Sequence, residues 1–333
     1  MLEFLNNKNV LFITTKNLDY IRNSQELRLV RSQAASLEVI GSYKASYPKR
    51  LLAVYGKLVR TRAAKYDLIF VGFAPQLVVP FFRRLRKREL AVDFFISLYD
   101  TLVWDRRKIR DGSPAARFLK RIDQKTLAAA DYVVTDTKAH GAYFAKELGA
   151  DPKKERTLYL EADGSVYYPR SQKKNGGKKD KFVVLYFGSV LPLQGVPVIL
   201  EAVGLLKKRE DIFFTIIGPL GDRMEKPENP NAEYVPWLSQ EDLAERVAGA
   251  DLCLAGHFDG SIEKARRTIP GKAYIYRAMG KPMILGENAA NRELFDEEDG
   301  KTCFVEMGNP EALAAKIESL AERWKKRKYE VCQ

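Results

Sequence analysis

The chain of 333 residues is poor in the side chains that build metal and redox centres. It has two histidines, His140 and His257, and three cysteines, Cys253, Cys303 and Cys332, with no metal-ligand spacing among them. A histidine-rich metal site is thereby excluded, and nothing points to a disulfide framework, which fits a reducing cytoplasm. Cys253 lies in the apolar run ADLCLAG and reads as a buried thiol. No apolar run approaches the ~18 residues of a membrane-spanning helix. The opening MLEFLNNKNVLFITT lacks the basic region, apolar stretch and cleavage site of a signal peptide. G-x-G-x-x-G and Walker loops are missing, which argues against dinucleotide oxidoreductases and P-loop NTPases. There is no nucleophile elbow for a Ser-His-Asp triad, and no Asp-x-Asp pair through which a cation-dependent sugar-nucleotide enzyme would hold its metal.

What is present is charge, unevenly placed. The net charge is +13, and residues 1–170 carry all of it, with 31 Lys/Arg against 18 Asp/Glu. Residues 182–322 are acidic, with 15 Lys/Arg against 23 Asp/Glu. Yet that acidic half places Lys264, Arg266, Arg267 and Lys272 within nine positions, beside Gly260, Ser261 and the pair Pro270–Gly271. A helix starting there presents free N–H groups and the positive end of its dipole. Added cations make such an end a site for a di-anion such as a pyrophosphate.

Length suggests two domains. Asn9–Thr15 reads as a first parallel strand, Gln25–Ser36 as a helix and Leu37–Ile40 as a second strand. Between them Tyr20, Arg22 and Asn23 are expected as exposed residues at a strand's carboxyl end, where open α/β sheets place ligand groups. The spacing predicts helices over 48–65 and 75–90, each with one apolar face and a basic one, suited to an anionic leaflet. Ala91–Leu98 is expected as a strand that runs into Tyr99, Asp100, Thr101, Trp104, Asp105 and Arg106; Asp136 and Thr137 end another. Residues 1–169 thus alternate strand and helix, 170–181 read as a linker, and 182–315 restart the pattern. Two Rossmann-like doubly wound parallel sheets facing a central cleft are expected, with 316–333 as a final helix.

Several ordered segments resemble the family-4 glycosyltransferases of GT-B architecture, which retain anomeric configuration. These are YFGSVLPLQGVPVILEA (186–202), FFTIIGPLG (213–221), ADLCLAGHF, KARRTIPGKAYIYRAMGKPMI (264–284) and NRELF (291–295). ISLYDTLVWDRRK and ADYVVTDTKAH are similar to a subgroup found among bacterial cell-surface polysaccharide enzymes. The resemblance implies that Gly188 and Ser189 face the donor phosphates, that Gly218 and Pro219 approach the nucleotide, and that Glu293 starts a segment reaching the donor. His257 to Ser261, with Lys264, Arg267 and Lys272, would hold the diphosphate, and Asp100 would contact the transferred sugar. Tyr20, Arg22, Asn23, Tyr99, Thr101, Asp105, Arg106 and Thr137 remain as acceptor-side residues, and the last helix would cross back onto the first domain.

The chain also departs from the family. Ser189 and Gln194 stand where Arg and Lys are usual, and Ile275 and Arg267 stand where two glutamates, eight residues apart, are usual. In the family the glutamate usual at the position of Ile275 grips the ribose hydroxyls, and the one at the position of Arg267 is its partner. The resulting expectation is a metal-independent, cofactor-free transferase. It would use a nucleoside-diphosphate sugar and a glycan or polyprenyl-linked acceptor, on the cytoplasmic face of the plasma membrane. The alternative is a binding or regulatory protein that keeps the fold without turnover. Basic patches without interleaved exposed aromatics count against nucleic acid.

Overall fold

The computed structural model describes residues 2–171, 180–221, 224–298 and 300–331. The chain divides into two compact units, residues 1–161 and 162–333. Most of the expected linker, 172–179, lies outside the described residues.

Unit 1 runs β1 (Asn9–Ile13), α1 (Ile21–Gln33), β2 (Ser36–Ile40), α2 (Tyr47–Arg60), β3 (Leu68–Val71), β4 (Glu89–Asp93), α3 (Pro114–Ala129), β5 (Tyr132–Thr135), α4 (Lys138–Leu148) and β6 (Glu155–Thr157). Its parallel strands stand in the order β2-β1-β3-β4-β5-β6. The central strands are unbroken apolar runs because helices cover both sheet faces. Alternation along each strand divides them: Leu11, Ile13, Ile69 and Val71 join one core, while Val10, Phe12, Leu68 and Phe70 join the other. Side-chain caps start α3, where Ser113 accepts from the Ala116 N–H, and α4, where Thr137 accepts from the His140 N–H.

Unit 2 runs β7 (Phe182–Phe187), α5 (Val196–Leu205), β8 (Ile212–Ile217), β9 (Ala232–Val235), α6 (Gln240–Gly249), β10 (Leu252–Gly256), α7 (Gly271–Ala278), β11 (Met283–Gly286), α8 (Ala289–Arg292), β12 (Thr302–Val305) and α9 (Pro310–Val331). Its parallel sheet has the order β12-β11-β10-β7-β8-β9. Val184, Tyr186, Phe214, Ile216, Leu252 and Leu254 project into one core with α5 and α9.

Two of the expected helices differ. The helix expected over 75–90 is instead two short 3-10 turns, Pro75–Leu77 and Arg83–Lys87, followed by β4. Pro80 explains the break: it supplies no N–H, and the preceding residue is pushed out of helical backbone. The helix expected over 48–65 stops at Arg60, and a separate 3-10 turn spans Ala63–Lys65. Residues 316–331 continue α9, whose Leu313, Ile317, Leu320 and Ala321 are buried in the core of unit 2; 332–333 lie outside the described residues. Among the described residues no helix is long and apolar enough to cross a membrane.

Ile317 is fully buried on α9. Ile317→Ala is expected to lower stability by about 2–5 kcal/mol in urea unfolding. A loss below about 0.5 kcal/mol, the range of an exposed site, would show that α9 does not dock there.

Candidate functional site

The site in unit 2 is built where β7, β8 and β10 end in glycine. Gly188 and Gly218 have φ of 151° and 155°, and Gly256 has φ of 84°, a region side chains rarely adopt. A Cβ on Gly218 would overlap the carbonyl oxygen of Gly188, so two strand-end turns press together through bare backbone. A Cβ on Gly188 or Gly256 would lie 3.3 Å from the Lys272 Nζ. Both glycines therefore leave room for one amine.

Lys272 enters this space from the first turn of α7 and is only 5% exposed. Its amine donates to the Gln194 Oε1 and lies 4.7 Å from the centroid of the Tyr186 ring. Among the described residues no carboxylate pairs with it. Burial alone pushes its pKa down to about 7. Burial also pushes the Tyr186 phenol up, and its oxygen has no hydrogen-bond partner. Pro270 caps α7 without a side-chain hydrogen bond, and the positive end of the helix dipole stands beside Lys272. A buried amine without a counterion at a helix start is chemically suited to an oxyanion.

The cationic loop folds around His257, which is 3% exposed and whose Nδ1 lies 3.0 Å from the Thr268 carbonyl oxygen. Thr268 Oγ1 donates to the Lys264 carbonyl, and the Arg267 N–H closes the same turn on Lys264. Lys264 and Arg267 are half-buried, and Ser261 is exposed, donating to Asp259. Gly260 meets the Met307 carbonyl so closely that a Cβ would have to displace backbone. Ile275 is half-buried on α7, and that helix contains no acid. Glu293 follows α8, which Asn288 caps, while Ser189 and Pro219 are exposed at the glycine turns. The structure thus gathers Gly188, Gln194, Gly218 and Lys272 at one point.

Unit 1 also concentrates charge at its strand ends, in a different form. Arg22 and Asn23 are buried, which corrects the expectation that they are exposed. Arg22 binds both oxygens of Asp93, at 3.2 and 2.8 Å, and donates to the Leu158 carbonyl. Asn23 donates to the Asn17 carbonyl. The Arg22 guanidinium and the Asn23 amide N–H can be buried because each finds an acceptor. Glu26 lies 3.7 Å from Arg22; burial and then the Asp93 charge push its carboxyl well above the usual range. Beside them His140 Nδ1 lies 2.7 Å from Asp136. Burial raises Asp136, but His140 and Arg22 outweigh it and leave the carboxyl below its ordinary value. Tyr20 is half-buried against Phe73, and burial raises its phenol.

The loop after β4 is braced by Asp123. It accepts from the Ser97 hydroxyl at 2.7 Å, from the Leu98 and Tyr99 N–H groups and from Gln76. This holds Asp100 buried, accepting from the Tyr143 hydroxyl at 3.2 Å, at the head of a π-helical turn spanning Asp100–Asp105. Such turns are rare and often sit at functional sites. Tyr99 is buried and donates to Asp111; Thr101 is half-buried, Asp105 buried and Arg106 exposed. Thr137 serves as the cap of α4. The sequence reading missed Gly256, Tyr186, Thr268, Asp93, Asp123 and the Asp136–His140 pair. For that pair the four-residue spacing at a helix start was an available signal. Among the described residues no three His, Cys, Asp or Glu side chains group as metal ligands.

Lys272 has an ordinary pKa of 10.5 when unfolded and about 7 when folded. The unfolded chain therefore binds more protons between these values, and the Lys272 contribution makes stability rise with pH from about 7 to 10. Measured against Lys272→Met, the unfolding free energy should gain up to about 1.4 kcal/mol per pH unit in that window. Parallel pH profiles would contradict the burial of a proton-poor amine.

Comparison with known proteins bears on the family and the fold. Residues 181–323 match the family model described as glycosyl transferases group 1. A D-inositol 3-phosphate glycosyltransferase from Nocardioides sp. is 25% identical over 215 residues, covering 56% of this chain and 46% of that protein. The chain thus spans about half the length of that relative. Among solved structures, a sucrose-phosphate synthase from Thermosynechococcus elongatus superposes with a TM-score of 0.68 at 13% identity, covering 94% of this chain and 89% of that one. Anabaena Alr3699/HepE in complex with UDP superposes with a TM-score of 0.67 at 15% identity, covering 96% and 91%. Residues 181–323 are therefore a glycosyl transferases group 1 domain, in a chain whose two parallel-sheet units have the GT-B fold.

Proposed function

We propose that the chain is a retaining glycosyltransferase of hexosyl type. It would move a sugar from a nucleoside diphosphate to a lipid-linked or cell-surface glycan precursor, at the cytoplasmic face of an anionic membrane. The observation that carries this reading is Lys272: a buried amine with no carboxylate, at a glycine turn and a helix N-terminus. Alr3699/HepE, of like fold, was solved in complex with UDP, and a uridine or other nucleoside diphosphate is the ligand class we assign to the Lys272 site here.

In this proposal Gly188, Gly218 and Gly256 let the phosphates approach the backbone, and Lys272 takes up the proton that the di-anion stabilises. Lys264 and Arg267, with His257, Gly260 and Ser261, hold the charge that develops on the leaving diphosphate. The bond from the anomeric carbon to the phosphate oxygen breaks through an oxocarbenium-like state. The acceptor oxygen then bonds to that carbon on the same face, and its proton passes to the released phosphate oxygen. No metal and no protein base is required. Asp100 orients the sugar, and Tyr20, Tyr99, Thr101, Asp105 and Arg106 serve the acceptor side.

A second reading is favoured by Ile275. Without a carboxylate on α7, charge-assisted bonds to the ribose hydroxyls, each about 1.5–3 kcal/mol, are not made from that helix. A binding protein that partners an active transferase would tolerate that loss. Nucleotide thermal-shift panels followed by donor hydrolysis separate the two readings: binding with slow hydrolysis supports transfer, whereas binding without any hydrolysis supports the second reading. Lys264→Ala and Arg267→Ala should each abolish hydrolysis, and normal kcat in both would overturn the enzyme reading. Ile275→Glu should tighten UDP at least about tenfold by restoring a ribose contact; unchanged affinity would place the ribose elsewhere.

A further inference from the structure

Residues 39–88 contain twelve Lys and Arg and a single acid, Asp67. The fold does not spread these cations evenly. A cavity of about 580 Å³ lies between edge strand β2 and the end of α2, lined by Glu38, Lys57, Arg60, Arg62, Lys65 and Tyr66 among others. Its one acid, Glu38, already accepts the Tyr66 hydroxyl. Lys57 is tied to the Gly41 carbonyl at 3.0 Å, which leaves its charge at the wall without a carboxylate. Cations at the last turn of a helix offset its dipole, and Lys57 and Arg60 answer that need. Arg62 and Lys65 lie beyond the helix and do not. Four cations around a ligand-sized cavity are in excess of what the fold requires.

Apolar side chains surround the same element. Leu52 and Val59, seven residues apart on one stripe of α2, are 71% and 65% exposed. Phe81, 61% exposed, sits on the turn that packs against α2 through the Tyr55–Phe82 ring pair and the Arg84–Leu58 carbonyl bond. A phosphodiester backbone in water has no use for an exposed Leu, Val and Phe. A lipid surface uses both features at once, because the cations meet headgroup phosphates while the apolar tips enter the acyl boundary.

We infer that the α2–β2 cavity is a headgroup pocket for anionic phospholipid, and that Leu52, Val59 and Phe81 are the residues that enter the leaflet beside it. This deepens the membrane reading proposed above and is independent of the donor chemistry, since none of these residues belongs to the donor site. It replaces a continuous basic helix over 75–90, which the fold does not contain, with a built pocket on α2.

The test is co-sedimentation of the full chain with vesicles of phosphatidylcholine alone or mixed with phosphatidylglycerol. Binding is expected only to the mixed vesicles. Arg60→Gln/Arg62→Gln should weaken it about fivefold per cation, and Leu52→Asp should weaken it without altering charge in the pocket. Arg117→Gln/Arg121→Gln, on α3, removes the same charge from exposed positions outside the pocket and should cost clearly less. Donor hydrolysis should be unchanged in all of these variants. That keeps a failed pocket distinguishable from a failed transferase reading and shows that the variants are folded. Equal losses in the α2 and α3 variants would overturn the pocket. No binding to the mixed vesicles, or tighter binding to a DNA duplex than to them, would overturn the lipid assignment.

Discussion

The second unit is organised around an amine that should not be buried. An isolated ammonium in an apolar interior is costly, and a lysine there normally finds a carboxylate or loses its proton. Lys272 finds Gln194, the face of Tyr186 and the bare backbone of two glycines. Each of those neighbours stabilises a cation weakly and none neutralises it. The amine is therefore held near its titration point. The positive φ at Gly188, Gly218 and Gly256, the uncapped start of α7 and the crowding of Tyr186 all follow from keeping that space open. Replacing any of the three glycines would strain the backbone, and at Gly218 it would also push two strand ends apart.

The first unit solves the opposite problem. Its strand ends bury several ionisable groups together: Arg22 pairs with Asp93, Asp136 pairs with His140, and Glu26, close to Arg22, is held well above the usual carboxylate range by burial and the Asp93 charge. Such a network fixes geometry because removing one member leaves another charge uncompensated. The Asp123 brace does the same for the loop that carries Asp100, with four donors converging on one carboxylate. Burial nevertheless raises that carboxyl above its ordinary value, so it needs those donors to stay ionised. Unit 2 thus holds a buried amine without a carboxylate, whereas unit 1 pairs its buried cation and its histidine with carboxylates. The excess positive charge of the first unit lies outside those pairs, on α2 and the turns that follow it.

Much of this layout was legible in the residues. The unbroken apolar strands announced parallel sheets covered on both faces, and the restart at Phe182 announced a second one. Gly188, Gly218 and Lys272 were identified by position. What could not be read was burial. Lys272 looks like any lysine in a cationic loop until β7, β8 and β10 close around it. Arg22 and Asn23 follow a strand, where polar residues are usually exposed, and only the approach of Asp93, seventy-one positions on, makes their burial possible. The apolar spacing over 75–90 fits a helix, yet Pro80 interrupts it and the same residues pack as turns. Asp123 reads as an ordinary helix position because its four partners come from elsewhere in the chain.

The central claim is that a proton-poor buried lysine receives the donor diphosphate. Calorimetric titration of UDP at pH 8, repeated in buffers of different ionisation enthalpy, measures it most directly. A group with a pKa near 7 that becomes fully protonated on binding takes up roughly 0.9 proton per UDP at that pH. The account predicts that uptake in the wild-type chain and its loss in Lys272→Met. Binding of UDP with no proton uptake would contradict it.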